Sequence, residues 1–184
     1  HKLPTNFRTQ IAILLIMIRS IYYTINILSQ TKGRFSKILA AIDGSEQSFK
    51  AAEYAIQIAK KERRGVQLIA FTVLDISKPR HMSSAFITAP TYGLRELEEE
   101  KKESQQWLDK VANMVLEKGN NIQFKSQIEE SMSVEGAIVN YAEQENIDLI
   151  VIGTRGRSGF TKLLLGSIAS KVVTYAPCPV LVVR

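Results

Sequence analysis

The stretch DLIVIGTRGRSGFTKLLLGS, Asp148 to Ser167, joins a short apolar run to a glycine-rich loop. Leu149 to Ile152 suits a strand buried on both faces, and Gly153, Gly156 and Gly166 fall where such a strand would turn into a helix. Backbone N–H groups at a helix N-terminus attract anions, and a residue without Cβ lets a phosphate approach the main chain closely. The placement therefore predicts a strand–loop–helix unit with an anion site at its tip. A plain strand-to-helix turn would use the same glycines, and that alternative stands beside it.

Working outward, the rest of the chain repeats the same alternation. Lys37 to Ile42 (KILAAI) reads as a buried strand ended by Asp43-Gly44-Ser45. A helix follows over Ser48 to Lys61, with Ala51, Ala52, Ala55, Ile56 and Ala59 at helical spacing, Ser45 as N-cap and Glu46 favourably placed in the first turn. Val66 to Leu74 is a second buried strand. After Asp75 an irregular stretch contains Pro79, His81, Met82, Pro90 and Gly93. Leu94 to Lys118 is a charged amphipathic helix presenting Leu94, Leu97, Trp107, Leu108, Val111 and Val115 inward and stopping at Gly119. Ile122 to Ile128 alternates as a strand with one wetter face. Ser133 caps a helix over Val134 to Glu145, and the strand Asp148 to Ile152, a helix around Ser167 to Tyr175 and the strand Val180 to Val183 complete the series.

Consecutive buried strands separated by helices imply parallel pairing, because each return to a parallel neighbour needs a crossover. The fold class predicted is α/β, a doubly wound five-stranded parallel sheet with helices on both faces. Ligands of such sheets sit outside the carboxyl ends of the strands where the strand order reverses. Asp43 and Gly153 are the expected sides of that crevice.

Composition narrows the function classes. At 184 residues and 45% hydrophobic content the chain can bury one ordinary core. The net charge of +6 is unevenly spread. The first 33 residues carry Lys2, Arg8, Arg19 and Lys32 and no acidic residue, which leaves 20 basic against 18 acidic side chains in the remainder. A nearly neutral body gives no electrostatic footprint for nucleic acid, and none is expected as a partner. Cys178 is the single cysteine, which excludes an internal disulfide and fits a reducing, cytoplasmic location.

Residues 1–33 stand apart from the domain expected over residues 34–184. Ile11 to Ile18 is an unbroken apolar run, Arg19 and Ser20 interrupt it, and Ile21 to Leu28 resumes it. Three readings compete: an extension outside the fold, which is favoured; a membrane or interfacial anchor through residues 11–28, short of the usual ~20 apolar residues and carrying Arg19 near its middle; and a secretory signal, for which no A-x-A cleavage site follows.

Among residues that could carry chemistry, Asp43 can accept hydrogen bonds from ribose hydroxyls or simply close the turn into the first helix. Arg155, Arg157 and Lys162 surround the glycine loop with positive charge that suits a polyphosphate, or that is merely solvated. His81 has no neighbour at metal-ligand spacing. Cys178, between Pro177 and Pro179, reads as packed and inert, and Trp107 as core. The run Glu96 to Lys102 reads as a solvated helix face. G-x-S-x-G, HExxH and Walker A patterns are absent, so the chain offers a phosphate cradle without an evident base or nucleophile.

Phe35 to Ser48 (FSKILAAIDGSEQS), Asp148 to Ser167 and Ala176 to Arg184 (APCPVLVVR) resemble the opening, nucleotide loop and closing strand of the universal stress protein family. The most specific part is the pattern G-2x-G-9x-G-S/T, met by Gly153, Gly156, Gly166 and Ser167, which in that family marks ATP-binding members. The resemblance implies a fold of the Rossmann-like, adenine nucleotide alpha hydrolase-like kind. It implies that Asp43 contacts the ribose, that Val73 meets adenine through its backbone, and that Gly153, Thr154, Arg155, Gly156, Arg157 and Ser158, with Gly166, Ser167 and Ile168, wrap the phosphates. Mg²⁺ or Mn²⁺ would accompany the phosphates without a dedicated metal cage. A homodimer paired through Val180 to Val183 is also implied. The resulting expectation is an ATP-binding regulatory or stress-response module and not a dedicated enzyme. The alternatives are a slow ATPase or nucleotide-transferring enzyme, and a membrane-tethered nucleotide sensor.

Overall fold

A computed structural model describes residues 35–62, 65–77, 90–118, 121–154, 156 and 165–184. Phe35–Arg184 forms one compact unit. Among the described residues, five strands, β1 (Lys37–Ala41), β2 (Val66–Asp75), β3 (Ile122–Ser131), β4 (Leu149–Gly153) and β5 (Val180–Val183), alternate with four helices, α1 (Glu46–Lys61), α2 (Pro90–Lys118), α3 (Val134–Gln144) and α4 (Ser167–Tyr175). All strand pairs are parallel, in the order β3-β2-β1-β4-β5. The chain winds outward from β1 to β3, then crosses back to β4, so the strand order reverses between β1 and β4.

Side-chain alternation along the central strands divides the core into two layers. Ile38, Ala40, Leu68, Ala70 and Val151 face α1 and α2, packing against Ala52, Ile56, Leu108 and Val111. Leu39, Ile69, Phe71, Ile150 and Ile152 face α3 and α4, packing against Ile138, Tyr141 and Val172. The stripe of alanines on α1 (Ala51, Ala52, Ala55, Ala59) is buried. Such small side chains bring the helix axis close to the sheet.

The expected caps are present. Ser45 Oγ accepts from Ser48 N–H at 3.2 Å, and Ser133 Oγ accepts from Gly136 N–H at 3.1 Å. Two boundaries differ from expectation by three residues or more. Helix α2 starts at Pro90, four residues before Leu94, because proline lacks an N–H that the first helical position leaves unpaired anyway. Strand β3 runs past Ile128 to Ser131, since Glu129, Glu130 and Ser131 continue the pairing with Val73, Leu74 and Asp75. Asp148 lies just outside β4, where its Oδ2 accepts from Ser36 N–H and Lys37 N–H at 2.7 and 2.9 Å and ties the start of β1 to β4. The readings of residues 1–33, His81, Met82 and Gly119, and the inward placement of the Leu94 side chain, lie outside the described residues.

Candidate functional site

The carboxyl ends of β1 and β2 are closed by one device. Asp43 Oδ1 accepts from Ser45 N–H at 3.0 Å and from Ser45 Oγ at 2.6 Å. Asp75 Oδ1 accepts from Ser77 N–H at 3.1 Å and from Ser77 Oγ at 2.6 Å. Each is an Asx turn in which the carboxylate replaces a backbone acceptor that the ended strand no longer supplies. The turn after β1 adds a constraint: Gly44 has φ of +81°, and a Cβ there would strike the indole of Trp107 from α2.

The end of β4 meets this turn from the other side. A Cβ on Gly156 would lie 2.5 Å from Asp43 Oδ2, so the glycine loop and the Asp43 carboxylate are in direct approach. Gly153 plays a different part. A Cβ there would come within 2.9 Å of Gln47 Cβ and 3.0 Å of the Gln47 carbonyl carbon, so this glycine admits the first turn of α1 against β4. Thr154 N–H donates to Val183 C=O and Gly166 N–H donates to Thr154 C=O, both at 2.7 Å. These two amides are therefore engaged within the protein. In α4 the first helical bond runs from Ser170 N–H to Gly166 C=O at 2.9 Å, and Gly166 supplies no side-chain cap. The N–H groups of Ser167, Ile168 and Ala169, ahead of that bond, form the helix's open N-terminal turn.

These parts border one cavity of about 280 Å³ at the carboxyl end of the sheet, beside the reversal point. Asp43, Val73, Gly153, Thr154, Gly156, Gly166, Ser167 and Ile168 all line it. Arg155, Arg157, Ser158 and Lys162 lie outside the described residues. The cavity also has walls that the sequence reading left out: Phe71 and Asp75 on β2, and Val134 and Ile138 on α3. The signal for them was present in the periodicity, since Phe71 and Asp75 lie two residues either side of Val73 on one strand face and Val134 and Ile138 are spaced i, i+4 on one helix face.

Backbone geometry explains how Val73 can take part. Gln67 N–H donates to Ser36 C=O at 2.8 Å, and the ladder between β1 and β2 closes with Ile42 N–H donating to Phe71 C=O at 2.8 Å. Alternate residues of a parallel strand turn both main-chain groups to the same neighbour, so Val73 directs its N–H and C=O toward the β1 side, beyond the last paired position, Ala41 with Phe71. Donor and acceptor there form a short polar edge beside an otherwise apolar wall.

The two helices bordering the cavity are tied together. Lys171 Nζ of α4 contacts Glu135 Oε1 of α3 at 2.5 Å. The hydrogen bond from Lys171 holds the Glu135 carboxyl below its ordinary value, helped by its own backbone N–H. Deeper in the same layer, the Phe71 and Tyr141 rings pack with centroids 4.4 Å apart. Cys178 is half-buried against this layer, and burial pushes its thiol up, which fits the inert role expected of it. Among the described residues, no group of three or more His, Cys, Asp or Glu is placed to hold a metal ion. None of the helices described is long and apolar enough to cross a membrane.

A sequence profile of the universal stress protein family matches residues 34–184. The chain belongs to that family. A universal stress protein of Methanocaldococcus jannaschii is 37% identical over 166 residues, covering 89% of this chain and 91% of its own. The structure of the universal stress protein UspA from Lactobacillus plantarum superimposes with a TM-score of 0.66 at 29% identity, covering 83% of this chain and 99% of that one. The structure of a universal stress protein from Archaeoglobus fulgidus in complex with dAMP shares the fold, with a TM-score of 0.56 at 16% identity over 82% of this chain and 98% of that one. The five-stranded parallel α/β architecture expected from the sequence is thus the architecture of these universal stress proteins.

Proposed function

We propose that this universal stress protein binds ATP in the cavity at the β1–β4 reversal and acts as a nucleotide-dependent regulatory module. The observation that supports the reading is the convergence, on one cavity, of an acceptor (Asp43), a main-chain donor and acceptor (Val73), a glycine without Cβ (Gly156) and the open first turn of α4. In this pose the phosphates lie at the α4 turn, where the helix N-terminus favours anions. The ribose hydroxyls donate to Asp43. The base slides between β2 and α3, with apolar contact from Val73, Val134 and Ile138, and its polar edge meets the Val73 N–H and C=O. With Thr154 and Gly166 amides already engaged, the grip on the phosphates falls to the α4 turn and the loop between Gly156 and Gly166.

A divalent cation fits this pose only in a limited way. Asp43 and Asp75 are the carboxylates lining the cavity, and neither belongs to a three-ligand cluster. Mg²⁺ or Mn²⁺ would draw most of its ligands from phosphate and water and would supply charge neutralisation there. The same reading extends to assembly. Strand β5 is the edge of the sheet, and its Val180, Leu181 and Val182 are only half-buried, so pairing with a second copy's β5 would cover an apolar edge.

Calorimetric titration of the full chain with ATP, ADP and AMP tests the site. ATP should bind, with affinity falling as phosphates are removed. Gly156→Val, whose side chain would run into Asp43, should weaken ATP binding by about tenfold or more. Equal affinity in parent and variant would remove the loop from the site, and no heat with any of the three nucleotides would remove the function.

A further inference from the structure

Phe71, Val73 and Asp75 alternate onto one face of β2, and all three line the cavity. Asp75 stands two residues beyond Val73, about 6.6 Å further along the strand toward the mouth. In the order β3-β2-β1-β4-β5, β2 lies across β1 from β4. The end of β2 that carries Asp75 is thus two strand spacings, about 10 Å across the sheet, from the end of β4. Its Oδ1 is fixed by Ser77 N–H and Oγ at 3.1 and 2.6 Å, which sets the plane of the carboxylate. Val134 of α3 adds an apolar side chain to the same cavity.

We propose that Asp75 is a specificity residue that selects a 6-amino purine over a 6-oxo purine, an inference that rests on the nucleotide reading above. An ionised carboxylate accepts hydrogen bonds and donates none. An exocyclic amine on the base edge satisfies it, whereas a keto oxygen in the same place brings lone pairs against lone pairs. The selectivity is therefore largely repulsive, a penalty on the wrong base added to a contact with the right one. The main-chain groups of Val73 orient the base edge, and Asp75 reads the substituent beside it.

The test is titration of ATP and of inosine triphosphate into the full chain, the Asp75→Asn variant and the Ser77→Ala variant. Asparagine keeps the Oδ1 acceptor that closes the turn but can present its NH₂ to a keto oxygen. The parent should favour ATP by about tenfold or more, and Asp75→Asn should reduce that preference to about threefold or less, chiefly by tightening the inosine nucleotide. Ser77→Ala loosens the turn and keeps the charge, so its preference should stay within about twofold of the parent. Equal weakening of both nucleotides by Asp75→Asn, or an unchanged preference, overturns the inference, because the residue would then only shape the turn. A parent that binds both nucleotides alike overturns it and leaves the nucleotide site standing, whereas a parent that binds neither overturns both.

Discussion

The turns after β1 and β2 make the same two hydrogen bonds, from Ser45 to Asp43 and from Ser77 to Asp75, yet they sit on different foundations. Beneath the first lies the Trp107 indole, against a glycine in the left-handed region. The second has Ile76 at the middle position, whose N–H donates to Ser131 C=O at 3.0 Å, so neighbouring backbone and not a packed aromatic supports it. The shared bonds are local and could form in a short peptide. What separates the turns is a tertiary contact, and that contact decides how far each turn can be altered.

Replacing the residue between aspartate and serine should break the comparison most strongly. Gly44→Ala places a Cβ at φ of +81° and against the indole. The backbone penalty and the overpacking together should cost about 2–4 kcal/mol in urea denaturation. In a Trp107→Ala background the steric part disappears, and the same change should cost about 1–2 kcal/mol. Identical costs in the two backgrounds would show that the indole does not constrain the turn.

Much of this was legible in the sequence, and the limits have physical causes. The apolar runs KILAAI and LIVI announced buried strands, and Ser45 and Ser133 announced their helices, because these signals are written within a few residues. Asp43 and Val73 could be placed at the cavity by resemblance. The contact between Gly44 and Trp107 could not, because those residues are far apart in the chain and only the packing of α2 onto the β1 end brings them together. Gly153 reads as an opening for phosphate, and its missing Cβ also makes room for Gln47, since spacing alone cannot say which neighbours share the space. Pro90 falls in the stretch expected to be irregular but begins a helix, as a proline signal looks the same in a loop and at a first helical position. The polar tail of β3 hid its length, because pairing with β2 extends it further than apolar alternation does.

A second pair of variants sharpens the comparison at lower energy. Ser45 both donates to Asp43 and caps α1, accepting from Ser48 N–H, whereas Ser77 is exposed and, among the described residues, bonds within its own turn. Ser45→Ala should therefore destabilise by about 1 kcal/mol, the usual worth of an N-cap. Ser77→Ala should cost about 0.3 kcal/mol, below the typical net value of a buried hydrogen bond. Equal effects by denaturation would mean that the cap adds nothing to the first turn.

The opposite wall of the cavity offers a similarly small effect, but one that depends on pH. There α3 and α4 are joined by the ion pair of Glu135 with Lys171, in place of an Asx turn. The hydrogen bond from Lys171 depresses the Glu135 carboxyl below 4.5 in the folded state. A depressed carboxyl stabilises the fold at pH values above its unfolded pKa, and that contribution is lost as pH falls through the lower, folded value. Lys171 is about half exposed, so solvent screens the pair and its worth is reduced accordingly. Glu135→Gln should lower stability by on the order of 0.5 kcal/mol at about pH 7, and the difference should close as pH falls below the folded value. Added salt should shrink the neutral-pH gap as well. A gap that survives once the carboxyl is protonated in the folded state would place the contribution of Glu135 in packing against α4 and not in its charge.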